Sequence, residues 1–116
     1  MDIYFDNSAT TKPYKEVIEE TLITMEEYYG NPSSLHKIGL KAEKKINESR
    51  EVLAKAINAT KEEIYFTSGG SEANNLIIKG IVKPNHHVIT TKFEHHSVLT
   101  TYEELEKNGV SVLNFF

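Results

Sequence analysis

Ser68-Gly69-Gly70-Ser71, inside "FTSGGSEANN" at 66–75, sets two glycines and two hydroxyls directly before a segment with helical spacing. A strand, a glycine loop and a helix in that order would leave unpaired backbone N–H groups pointing outward at the helix start, where anions bind readily. Glycine lets the backbone approach a ligand closely, and the Ser71 hydroxyl can donate a further hydrogen bond. The helix terminus adds about 0.3–1 kcal/mol for a negative group, or ~2 kcal/mol where the site is partly buried. The same residues also read as a permissive turn with Ser68 or Ser71 capping the helix, and spacing alone leaves both readings open. Two known phosphate loops are excluded: no Lys-Ser/Thr follows the last glycine, and three spaced glycines are lacking.

"KFEHHSV" at 92–98 takes the equivalent place after the next expected strand, so in a parallel sheet its side chains lie at the same edge as Ser71. A ring from His95 or His96 would then face a ligand anchored at Gly70 and Ser71, and an aromatic face contributes about 0.5–1.5 kcal/mol beyond burial. The alternative is that adjacent histidines at a helix start are exposed or capping residues. A zinc site from His86, His87, His95 and His96 lacks ligand spacing for a third and fourth donor, so no metal is expected. His36 reads as a surface residue just inside a helix. Lys79 falls on the polar side of its helix and Lys92 at a strand end, and neither reads as catalytic.

The elements that must hold these residues follow from periodicity. Pro13 suits a first helical position, and Val17, Ile18, Thr21, Leu22, Met25 and Tyr29 share one helical face that Gly30 ends. "GNPSS" at 30–34 is a loop. Leu35, Ile38, Ala42, Ile46, Ser49, Leu53, Ala56 and Ile57 stripe a longer second helix. Thr60 and Glu63 have capping-box spacing for a single turn, and "IYFT" at 64–67 has the content of a short buried strand. Ala73, Leu76, Ile77, Gly80 and Ile81 form the next helical face, broken at Pro84-Asn85. "HVIT" at 87–90 is a strand, Val98, Tyr102 and Leu105 mark a helix closed by Asn108-Gly109, and "VSVLNFF" at 110–116 is a last strand. Strand, helix, strand, helix, strand predicts parallel pairing within an α/β sheet, preceded by two helices. The final apolar strand has no covering helix after it, which reads as a chain cut short.

At 116 residues with 39% apolar and 26% charged residues, the chain is of single-domain size and globular composition. A net charge of -4 without clustered lysines argues against nonspecific nucleic-acid binding. No run of eighteen apolar residues occurs, so no membrane span is expected. The acidic start "MDIYFDNSATT" is unlike a secretory signal, and the expected compartment is the cytosol. Cysteine is absent, so these residues can build no disulfide, thiolate metal site or cysteine nucleophile.

"YFDNSATT" at 4–11, "GNPSSLHKIG" at 30–39, "FTSGGSEANN" at 66–75 and "EHHSV" at 94–98 together, and in that order, resemble the opening of NifS/IscS-type cysteine desulfurases. These are pyridoxal 5'-phosphate enzymes of the class V aminotransferase group, of fold type I. "GNPSSLH" favours the NifS/IscS branch over the SufS-like one. The resemblance implies an α/β fold divided into an arm and first helix over 1–30, a long helix over 31–59 and the start of the cofactor-binding domain over 60–116. It implies that Gly70 and Ser71 hold the cofactor phosphate, with serine where the family more often has threonine, and that His95 stacks on the pyridine ring.

The intact family converts L-cysteine to L-alanine and passes the sulfur, as an enzyme persulfide, to an acceptor or scaffold protein for iron-sulfur clusters. Its members form homo-oligomers. The resemblance places the cofactor lysine, the acid at the pyridine nitrogen and the persulfide-forming cysteine in later segments, so no catalytic residue is assigned within this chain and the expected product is an inactive amino-terminal portion. A stand-alone phosphate-binding module and a self-associating structural piece are the competing expectations.

Overall fold

The computed structural model describes residues 3–116. Met1 and Asp2, with which the expected arm begins, lie outside the described residues. The chain divides into two units, Met1–Ile64 and Tyr65–Phe116.

In the first unit, helix α1 (Lys15–Glu27) begins two residues after Pro13. Tyr14 rather than proline opens it, because the Tyr14 carbonyl accepts the first helical bonds, from Val17 N–H at 3.1 Å and Ile18 N–H at 3.2 Å. The helix ends at Glu27 with Tyr28 as its C-cap, so Gly30 is not its terminator. No residue of α1 is buried. Its ties to helix α2 (Lys37–Ile57) are polar: Lys45 pairs with Glu20, Lys41 with Glu27 at 3.0 Å, and both ammonium groups approach the Tyr28 ring.

The loop between these helices explains its own composition. Asn31 Oδ1 accepts from Ser33 N–H at 2.9 Å and the Asn31 carbonyl from Ser34 N–H at 3.0 Å, an Asx turn of the kind asparagine favours. His36 is the N-cap of α2, not its first turn, with Nδ1 accepting from Gly39 N–H at 3.3 Å. The loop packs down on that first turn, and the buried face of α2 runs through the small residues Gly39, Ala42 and Ala54. The α2 stripe expected from hydropathy is therefore only partly the packed one: Leu35, Leu53 and Ile57 are exposed. Beyond α2, Glu63 accepts from Thr60 N–H at 2.7 Å and from the Thr60 hydroxyl at 3.0 Å, which holds the single 3-10 turn Lys61–Glu63 as its spacing predicts.

The expected strand at 64–67 does not form among the described residues. Its residue types suit a strand, but a strand is a property of a pair, and no described segment runs beside it. The second unit accordingly holds helix α3 (Gly70–Ile81), strand β1 (His87–Thr91), helix α4 (His96–Lys107) and strand β2 (Ser111–Phe115). The strands pair parallel, with Val88 opposite Val112 and Thr90 opposite Asn114. Helix α4 makes the crossover and packs on both α3 and β2. Gly109, at φ +89°, turns the chain from α4 into β2 where a side chain would strain the backbone.

The core of this unit is small: Ile78, Thr90, Thr101 and Val110 are its buried residues. Ile78 belongs to the side of α3 turned to α4, whereas Leu76, Ile77 and Ile81 of the expected stripe are exposed. On the sheet, Ile89, Leu113 and Phe115 alternate with the packed positions and form an exposed face. No helix among the described residues is long and apolar enough to cross a membrane.

Candidate functional site: two adjoining helix starts

The site lies wholly within the second unit, where the first turns of α3 and α4 meet. Helix α3 starts at Gly70, with Gly69 as an N-cap that offers no side chain. Neither serine caps it. Ser68 instead turns away from the helix amides: its N–H and its hydroxyl both donate to Glu72 Oε2, each at 2.6 Å. The first helical bond at this end runs from Ala73 N–H to the Gly69 carbonyl at 3.1 Å. The amides of Gly70, Ser71 and Glu72 thus precede it and face outward. Ser71 is tied to its helix through its carbonyl, which accepts from Asn75 Nδ2 at 2.9 Å, and its exposed hydroxyl has no partner among the described residues.

Among the described residues, packing does not require the glycine pair. A Cβ added to Gly69 or Gly70 would meet no heavy atom within 4 Å, so packing does not exclude one. Gly69 lies at φ 165° and ψ -179°, an extended backbone that any residue adopts. The pair leaves the backbone at this helix start open to close approach.

The Glu72 carboxyl is held below its ordinary value of 4.5, first by the Ser68 hydroxyl and then by the Ser68 N–H. Those bonds are made to the ionised form, so their stabilisation is present above 4.5 and is lost as pH falls through the lower folded value. Acidification through that range is expected to release Ser68 ahead of the neighbouring helix. Amide exchange at Ser68 should accelerate several-fold relative to Ile78, and Glu72→Gln should reproduce much of that loss at neutral pH. Equal exchange at both residues would contradict this role.

Helix α4 begins one residue after His95, which is its N-cap. The ring is used in capping: Nδ1 accepts from Ser97 N–H at 3.1 Å and lies 2.9 Å from Ser97 Oγ. The same Ser97 oxygen is 2.9 Å from Asn74 Nδ2, one turn along α3 from Ser71. A chain of polar contacts, Asn74 to Ser97 to His95, therefore joins the two helix starts and sets Gly70, Ser71 and His95 at one end of the helix pair. Thr101, only 3% exposed, fixes Ser97 from below by donating to its carbonyl at 2.8 Å. His96 stands beside His95 edge to face, with ring centroids 6.4 Å apart, and both rings are exposed.

Asn74 and Ser97 carry no role on sequence grounds alone. Their signal is present in part: Asn74 is the polar member of an i, i+4 pair with the buried Ile78, a place where a side chain needs a partner. Of the two lysines that do not read as catalytic, Lys79 pairs with Glu104 at 2.7 Å and Lys92 lies over the Phe116 ring at 3.7 Å. Among the described residues no group of three or more His, Asp or Glu is placed to hold a metal ion.

Residues 3–115 match the aminotransferase class-V family, and the chain belongs to that family. Among curated proteins it is 52% identical over 114 residues to the cysteine desulfurase IscS of Clostridium botulinum, a match that takes in 95% of this chain and 29% of that protein. It is 48% identical to the cysteine desulfurase IscS of Methanosarcina thermophila, over 95% of this chain and 28% of that one. Among solved structures, a NifS-like protein superimposes with a TM-score of 0.88 at 36% identity, covering 98% of this chain and 32% of that chain. A structure described as SspA in complex with cysteine superimposes with a TM-score of 0.87 at 36% identity, covering 97% and 33%. The chain thus spans less than a third of the length of these two curated relatives.

Proposed function

We propose that this chain supplies the phosphate-and-ring portion of the pyridoxal 5'-phosphate site of a cysteine desulfurase, as the amino-terminal part of such an enzyme. The observation that carries the reading is the glycine pair at the start of α3, which neither packing nor backbone conformation demands. In this reading the N–H groups of Gly70 and Ser71 and the Ser71 hydroxyl bind the phosphate, helped by the partial positive charge of the helix end. His95 covers one face of the pyridine ring, which fixes the plane of the cofactor.

The bound cofactor supplies electron withdrawal that loosens bonds at the amino-acid carbon, in this case of L-cysteine. This chain's residues bind and orient. None is assigned to proton transfer or to forming a bond with the substrate. A sulfur-accepting protein, a homo-oligomeric assembly and a cytoplasmic location belong to the same proposal.

Titration with pyridoxal 5'-phosphate, followed by absorbance, tests it. A saturable change in the cofactor band is expected, without a borohydride-reducible bond to the chain. No saturable change would remove the reading, and displacement by inorganic phosphate is expected, since both would occupy the same cup.

A further inference from the structure

The contact between the two helix starts does more than hold them together, because it determines which nitrogen of His95 carries the proton. A backbone N–H can only donate, so the bond from Ser97 N–H to His95 Nδ1 requires an unprotonated Nδ1. Asn74 Nδ2 likewise only donates, and it points at Ser97 Oγ from 2.9 Å. Asn74 Nδ2 cannot accept the Ser97 hydroxyl proton, whereas an unprotonated His95 Nδ1, also at 2.9 Å, can, so the hydroxyl donates to the ring. Two donors therefore converge on one ring nitrogen.

We infer that Asn74 and Ser97 are positioning residues that hold His95 as the neutral Nε2–H tautomer, with Nδ1 occupied and an N–H donor, not a lone pair, on the outer edge of the ring. The arrangement also restricts ring rotation, since turning it would break both bonds to Nδ1. A ring held this way offers a flat face at a fixed angle and a donor at its rim. The meaning of this for a bound cofactor rests on the function proposed above, whereas the tautomer itself is a property of the chain alone.

The other histidines provide internal references. His36 and His86 each accept one backbone N–H at Nδ1, and His96 has no ring hydrogen bond among the described residues. The 116-residue chain, labelled with ¹⁵N and held at a pH above the histidine range, would be probed by long-range proton–nitrogen correlation without cofactor.

His95 should show the Nε2–H pattern more completely than His96. Ser97→Ala and Asn74→Ala should each move its tautomer ratio toward that of His96, by roughly two- to tenfold for one lost hydrogen bond, and Ser97→Thr should restore it. Asn74→Ala serves as the independent variant, since it leaves the α4 cap intact. A His95 ratio equal to that of His96, an Nδ1–H pattern, or no response to either alanine variant overturns the inference. Pyridoxal 5'-phosphate is then added to the same samples. A held tautomer with no cofactor-induced shift at His95 sustains the inference and overturns the cofactor reading, so the two can fail separately.

Discussion

Gly70→Ala is expected to leave the chain at least as stable as before, by up to about 1 kcal/mol, while weakening pyridoxal 5'-phosphate binding roughly tenfold or more. The two halves of that result have separate causes. At the first position of α3 a methyl group would enter open space, and alanine costs less backbone entropy on folding than glycine. The same methyl would stand where the proposed phosphate must come close to the N–H groups of Gly70 and Ser71, and hydrogen bonds to a charged group are worth about 1.5–3 kcal/mol each. Urea unfolding reads the first half and an absorbance titration the second. A parallel fall in stability and affinity would mean that the glycine serves the fold, and unchanged affinity would mean that no phosphate meets this backbone.

Gly39→Ala should behave in the opposite way, with a loss of about 1–3 kcal/mol in stability. Helix propensity taken alone predicts a gain of up to about 1 kcal/mol, reduced because Gly39 lies in the first turn of α2. Sterics decide against it. A Cβ on Gly39 would lie against the Ser34 carbonyl oxygen, 2.6 Å from the Asn31 carbonyl oxygen and 2.8 Å from Ser34 Cβ. Two of those atoms are backbone and cannot swing aside, so either the Asx turn opens or the helix start shifts. A lower urea midpoint with an unchanged slope is the expected reading. A raised midpoint would mean that the loop yields more cheaply than its geometry implies.

The contrast between these glycines marks what a sequence can disclose. "GNPSSLHKIG" and "SGGS" both announce glycines with a purpose, yet the purpose of the first lies inside the fold and that of the second faces outward. Only the three-dimensional neighbours separate them. Two features were readable because their partners are close in sequence, the Thr60–Glu63 box and the turn at Asn108-Gly109, and the parallel strands were readable because strand, helix, strand in that order implies a crossover.

Features that depend on distant partners were not readable. The segment 64–67 has strand residues but no partner strand among the described residues. The packed side of α3 was set by the arrival of α4, not by the longest apolar stripe. The bond from Asn74 to Ser97 spans 23 residues, and neither side chain alone suggests the other.

Helix α1 leads to a different kind of consequence. None of its 13 residues is buried, and it is tied to α2 through ion pairs that are at least partly exposed. A helix of that length is marginal in water on local terms alone. Its melting will therefore be gradual and salt-sensitive, a slope in the helical signal on warming rather than a share in the cooperative transition of the rest.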